Sequence, residues 1–196
     1  MSLLAFSKIA WALGVAAWFV MRLPFERKAR RMKVADARHR TAREMALLSI
    51  STLGLGIIPA IYAATGFPRA FSYAPSAVQV AAGVAVFLAA LWLFRRTHSQ
   101  LGRYWSVTLE IKDSHELITS GVYERVRHPM YSAFFLWALA QALLLPNLVA
   151  GLSGLVGFGI LFFFRVGREE QMMREAFGAK YDAYMARTKR IIPGIY

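Results

Sequence analysis

Between residues 115 and 131 the chain reads His-Glu-Leu-Ile-Thr-Ser-Gly-Val-Tyr-Glu-Arg-Val-Arg-His-Pro-Met-Tyr, and a long apolar run follows at once. Two imidazoles, two phenols, two guanidinium groups and a proline are thus gathered where a polar segment meets hydrocarbon. In Arg127-His128-Pro129 the proline disfavours helical geometry at His128 and suits the first turn of the helix after it, so a helix is expected to begin at Pro129. The first N–H groups of such a helix lack intrahelical partners and attract carboxylates and phosphates. Arg125 and Arg127 would strengthen that field, while His128 and Tyr131 would add directional hydrogen bonds. A basic, aromatic interfacial belt is the plainer alternative.

A second constellation is Arg165-Val-Gly-Arg-Glu-Glu170, just past another apolar run. On a helix Arg165 and Glu169 are four apart on one face, where an exposed pair is worth only about 0.3–0.5 kcal/mol. Arg165, however, directly follows three phenylalanines, and a charge at the edge of hydrocarbon is costly enough to signal function. It could meet the anionic end of a lipid-like molecule, and Glu169 a cationic group. Tyr181 and Tyr184 share a face. Tyr184 reads as packing, Tyr181 is open between packing and binding, and residues 190–196 read as an interfacial tail folded back on the body.

These residues need a frame, and composition supplies one. Hydrophobic residues make up 57% of the 196, and the mean hydropathy is +0.41, above a soluble domain's range. Apolar runs at 3–21, 45–65, 77–94, 130–145 and 148–164 are expected to be five transmembrane helices. Pro59 marks a kink, and the last two runs, joined only by Pro146-Asn147, form a helical hairpin. A cytosolic C-terminal helix follows. The fold class is therefore all-α and polytopic, a single domain in which 1–94 is three N-terminal spans and 95–196 the binding half. The first run is retained as a span, because its basic flank follows it, unlike a signal peptide's. Of the 24 Lys and Arg, all but Lys8 and Arg69 fall in 22–44, 95–128 and 165–196. That asymmetry puts the N-terminus outside and the three basic segments in the cytosol. The net charge of +13 is then a topology signal and a contact for anionic lipid headgroups, not a nucleic-acid surface. The absence of cysteine excludes disulfides and thiolate chemistry, and no metal site is expected.

Gly121-Val-Tyr123 and Arg127-His-Pro-Met-Tyr131 resemble the signature of the isoprenylcysteine carboxyl methyltransferase family. Leu101-Gly-Arg-Tyr-Trp-Ser106, His115-Glu-Leu-Ile118, Glu169-Glu170, Phe177-Gly178, Tyr181, Tyr184, the closing basic residues and Pro193 fit as well. The likeness covers about the C-terminal half. It implies an integral membrane enzyme, in a bacterial inner membrane, with its active site facing the cytosol and S-adenosylmethionine as cofactor. By the resemblance, His115, Glu116, Leu117, Ile118, Tyr123, His128, Pro129, Met130, Tyr131 and Glu169 hold the cofactor, and Arg165 contacts a lipophilic or lipidated methyl acceptor. Ala133 departs from the glycine that many members carry there. The resemblance implies carboxyl O-methylation of an isoprenylcysteine-like or other lipophilic acceptor, without by itself implying a prenylated protein as substrate.

A carboxylate acceptor is already nucleophilic at neutral pH and needs mainly to be held in line. An amine, as in phospholipid N-methylation, would have to lose a proton, with His128 or Glu169 nearest. Aromatic faces could stabilise a sulfonium by cation–π contact. Two other classes stay open: an NADPH-dependent membrane reductase, for which the chain is short, and a non-catalytic lipid-binding protein. No Gly-rich strand-turn-helix suggests a soluble nucleotide fold.

Overall fold

The computed structural model describes residues 1–29, 34–36, 41–102, 111–112 and 116–196, and in it each of the five apolar runs falls on a helix. Helix α1 is Leu3–Ala29, α2 is Ala42–Thr52, α3 is Ile58–Thr65 and α4 is Ala77–Leu101. A single turn, α5, is Val122–Arg125; then come α6 at Pro129–Leu144, α7 at Leu148–Phe177 and α8 at Ala179–Arg187. Side-chain caps start three of them: Thr41 Oγ1 accepts from Glu44 N, Ser76 Oγ from Gln79 N, and Asn147 Oδ1 from Ala150 N. Among the described residues the sequence reading lacks a minimal antiparallel pairing of β1 (Val34–Asp36) with β2 (Ile111–Lys112), along with isolated bridges between Ser72 and Asn147 and between Val126 and Lys189.

Among the described residues four helices are long and apolar enough to cross a membrane: Leu3–Arg27, Ala42–Thr65, Ala77–Leu101 and Leu148–Phe177. Pro129–Leu144 is apolar but only 16 residues long, short of the roughly 20 that cover 30 Å of hydrocarbon. Helix α7 runs on well past residue 164, so Arg165, Glu169 and Glu170 belong to the same rod as the apolar run before them.

The expected break near Pro59 takes a specific form. Residues Leu53–Ile57 make a π-helical turn between α2 and α3, in which Ile58 N donates to Leu53 O five residues back. Proline at 59 has no N–H to offer Gly54 O. Gln141 Nε2 from α6 and Ser153 Oγ from α7 donate to that carbonyl instead, at 3.1 and 2.8 Å. A polar node in the bundle thereby binds the π-helical turn to α6 and α7. The same crossing is close because it lacks side chains: a Cβ on Gly157 would stand 2.7 Å from Ile50 O.

Helix α6 lies between α4 and α7 and also touches α1. Its residues Ala138, Ala140 and Leu144 are fully buried, and Trp137 packs edge-on against Trp18 of α1 at 4.9 Å. The tail folds back on the start of α6, as the sequence suggests. Arg127 N and His128 N donate to the carbonyls of Lys189 and Arg190 at 2.7 and 2.9 Å, and Ser132 Oγ donates to Ile191 O at 2.6 Å.

Candidate active site

His128 caps α6 with non-helical dihedrals (φ −124°, ψ 61°), and Pro129 occupies the first turn, as the His-Pro pair dictates. Its ring is buried between two carboxylates of α7. Nε2 lies 3.2 Å from Glu170 Oε1, and Nδ1 lies 3.7 Å from Glu169 Oε1. One turn into α6, Tyr131 donates its hydroxyl to Glu169 Oε2 at 2.6 Å. Tyr123 is fixed from two sides: Gln100 Oε1 accepts from Val122 N at 2.9 Å, and Tyr184 donates its hydroxyl to Tyr123 O at 2.6 Å. Tyr184 therefore holds the loop as well as packing. Burial, reinforced by Glu169, pushes the Tyr123 phenol well up, so it stays protonated.

Arg165 and Glu169 do not pair with each other in the way their spacing suggests. Arg165 Nη2 reaches Glu44 Oε1 of α2 at 3.4 Å, while Glu169 takes the Tyr131 hydroxyl. Arg127, expected to strengthen an anion site, is instead neutralised by Glu170 at 2.7 Å and also donates to the carbonyls of Thr188 and Met185. Arg190 closes on the same carboxylate at 2.8 Å, and Arg125 is exposed. Glu170 is thus a knot joining α7, the start of α6 and the tail.

A cavity of about 470 Å³ opens against these groups. Tyr123, His128, Tyr131 and Glu169 line it, with Arg165 beside them. So do Leu117, Ile118, Pro129 and Met130. The remaining wall is supplied largely by the spans and is mostly apolar, with Trp18, Leu55, Trp137 and Phe158 beside the polar Arg22, Ser51, Thr52 and His98. Glu116 is exposed and outside the lining, where water solvates its carboxylate. His115 and residues 103–106 lie outside the described residues.

Glu44, Glu170 and Gln100 escaped sequence reasoning. Two signals were available, an acid at the start of a span in a segment with nine Lys and Arg and a second acid beside Glu169.

The electrostatics give a pH prediction. Burial lowers the His128 pKa, but hydrogen bonds and charge from Glu169 and Glu170 outweigh it, so the folded value lies above 6.5. The stabilisation from cationic His128 is complete below the unfolded value near 6.5 and is lost as pH rises through the elevated folded value. The melting-temperature gap between wild type and His128→Asn should narrow across that interval. A gap that widens with pH would mean His128 is buried neutral.

The cavity fits the cofactor that the resemblance implies. Its volume is in the range of small-molecule pockets, roughly 300–1,000 Å³. Glu169 offers an anion to an ammonium group, and Tyr123, Tyr131 and Tyr181 offer aromatic faces and hydroxyls around it.

The family model of the isoprenylcysteine carboxyl methyltransferases matches residues 81–175. A probable protein-S-isoprenylcysteine O-methyltransferase of Oryza sativa subsp. indica is 33% identical over 89 residues, 45% of this chain and 47% of that protein. The Homo sapiens protein-S-isoprenylcysteine O-methyltransferase is 35% identical over 86 residues, covering 44% of this chain and 30% of that one. The chain matches about half the length of these relatives or less. Among solved structures, the eukaryotic intramembrane Ras methyltransferase of that name shares the fold, with a TM-score of 0.52 at 23% identity over 82% of this chain and 55% of the other. The stretch that matches this family model, residues 81–175, carries Tyr123, His128, Tyr131, Arg165 and Glu169.

Proposed function

We propose that the cavity is the active site of an S-adenosylmethionine-dependent membrane methyltransferase that esterifies the carboxylate of a lipophilic or lipidated acceptor. The observation that carries this reading is the separation of opposite charges in one largely apolar cavity, Glu169 on Tyr131 and Arg165 on Glu44. S-adenosylmethionine supplies a methyl group already activated by its sulfonium. The protein then has to hold and align a nucleophile and exclude water. Glu169 holds the cofactor's amino group, His128 and Tyr131 fix Glu169, and Arg165 orients the acceptor carboxylate. No strong base is required, since that carboxylate is ionised at neutral pH. The apolar wall takes the acceptor's hydrocarbon part from the bilayer.

Purified protein incubated with methyl-labelled S-adenosylmethionine and membrane extract should yield a lipophilic product that releases labelled methanol in base. A base-stable labelled amine would replace the ester reading by N-methylation, and binding of NADPH without S-adenosylmethionine would replace both by a reductase. His128→Ala and Tyr131→Phe should each weaken S-adenosylmethionine binding by about tenfold or more while the protein stays folded. Unchanged affinity in both would reduce this end of the cavity to an interfacial belt.

The membrane arrangement we propose has five spans, with α6 and α7 as a hairpin across an inner membrane and the N-terminus outside. Residues 95–196 act as the binding half on the frame of 1–94. The 22 cytosolic Lys and Arg against Lys8 and Arg69 support it. Reporters fused at residue 70 and at the C-terminus should report opposite sides; the same side for both would refute it.

A further inference from the structure

Glu44 lies outside the span that matches the family model and outside the cavity lining, in the first turn of α2. It is nevertheless 3% exposed and stands 3.4 Å from the guanidinium of Arg165, which does line the cavity. A buried carboxylate beside a cavity cation is costly to place, so its position calls for a cause. The helix offers one. Arg165 and Glu169 are four apart on α7, a spacing that lets an arginine and a glutamate meet, although with the cation first the pair is the weaker of the two orders. Such a pair would remove the acceptor's cation and the cofactor's anion in one contact. In the structure the pair is split, with Arg165 drawn to α2 and Glu169 held by Tyr131 on α6 at 2.6 Å.

We propose that Glu44 is a positioning residue that keeps Arg165 off Glu169 and turned to the acceptor's carboxylate. The proposal rests on the reading of Arg165 as the acceptor's partner. A guanidinium carries five N–H donors on three nitrogens, so contact with Glu44 through Nη2 and recognition of a carboxylate in the cavity are not mutually exclusive. The contact also ties acceptor recognition to the helix whose π-helical turn lines the cavity through Leu55 and Gly56.

The test measures binding of N-acetyl-S-farnesylcysteine and of its carboxamide to the full chain in lipid nanodiscs, by calorimetry and without cofactor. Wild type should prefer the acid by about tenfold or more, as a charge-assisted contact requires. Glu44→Gln should bring that preference close to unity, since a shift of about 1 Å at such a contact costs up to about 10²-fold. Adding Glu169→Gln removes the competing carboxylate, so the double variant should regain the preference. A merely structural role for Glu44 would not produce that recovery. Glu44→Asp keeps the charge on a shorter arm and should give an intermediate preference, which decides the matter if Glu44→Gln does not fold. Full preference in Glu44→Gln, full preference in Glu44→Asp, or no recovery in the double variant overturns the positioning role alone. Wild type that does not distinguish acid from amide overturns the carboxylate reading of Arg165, and the role of Glu44 with it.

Discussion

Glu170→Ala is expected to be among the most destabilising single substitutions in this chain. The carboxylate is 7% exposed and meets Arg127 at 2.7 Å, Arg190 at 2.8 Å and His128 at 3.2 Å. Removing it leaves buried Arg127 and cationic His128 without their main counter-charge, a loss of about 3–5 kcal/mol for a broken buried pair. Arg190 is a third exposed, so its share is discounted for solvent screening. For a chain of this length the loss corresponds to a fall in melting temperature on the order of 10 °C. The tail should loosen as well, because Arg127 and His128 hold its carbonyls at residues 188–190 only while their own side chains are anchored. Trypsin should then cut at Lys189 or Arg190 in the variant under conditions where wild type is spared. A melting temperature within about 2 °C of wild type, with the tail still protected, would show that the knot contributes only surface-like pairing.

The fold and the site were legible in different degrees, for physical reasons. A span is written locally, as a run of apolar side chains, so the apolar runs that fall on α1, on α2 with α3, on α4, on α6 and on α7 were readable, whereas the polar turn α5 was not. The start of α6 was readable because His-Pro acts on its own backbone. The end of α7 was not: the apolar run stops near residue 164, but the helix continues on polar residues to Phe177, and helical continuity has no hydropathy signature. Pro59 announced a break but not its form. The π-helical turn depends on Gln141 and Ser153, distant in the chain, to satisfy Gly54 O. The resemblance named Arg165 and Glu169, and the structure puts both on the cavity. Their partners were invisible, because Glu44 and Tyr131 come from other helices, and helical spacing by itself favours the pair that does not form. Glu170 was named only as part of the Glu169-Glu170 motif, since nothing local says that three cations from two other segments converge on it.

Arg165 and Glu169 should separate cleanly when changed one at a time. Glu169→Gln keeps an oxygen that can accept from Tyr131, so the wall retains its shape while the charge is lost. If Glu169 holds the cofactor's ammonium in this partly dehydrated place, S-adenosylmethionine affinity should fall by roughly 2–5 kcal/mol, thirtyfold or more. Arg165→Met should abolish turnover, but as a single change it is confounded, because it strands the buried Glu44 carboxylate and should cost about 3–5 kcal/mol of stability. Pairing it with Glu44→Gln removes both charges and should restore much of that stability, since a buried ion pair replaced as a whole is often near neutral. In the double variant, calorimetry should find S-adenosylmethionine affinity close to wild type while methyl transfer stays undetectable. Loss of cofactor affinity equal to that of Glu169→Gln would mean that Arg165, Glu44 and Glu169 act as one charge cluster behind the cofactor. Arg165 could then no longer be assigned to the acceptor.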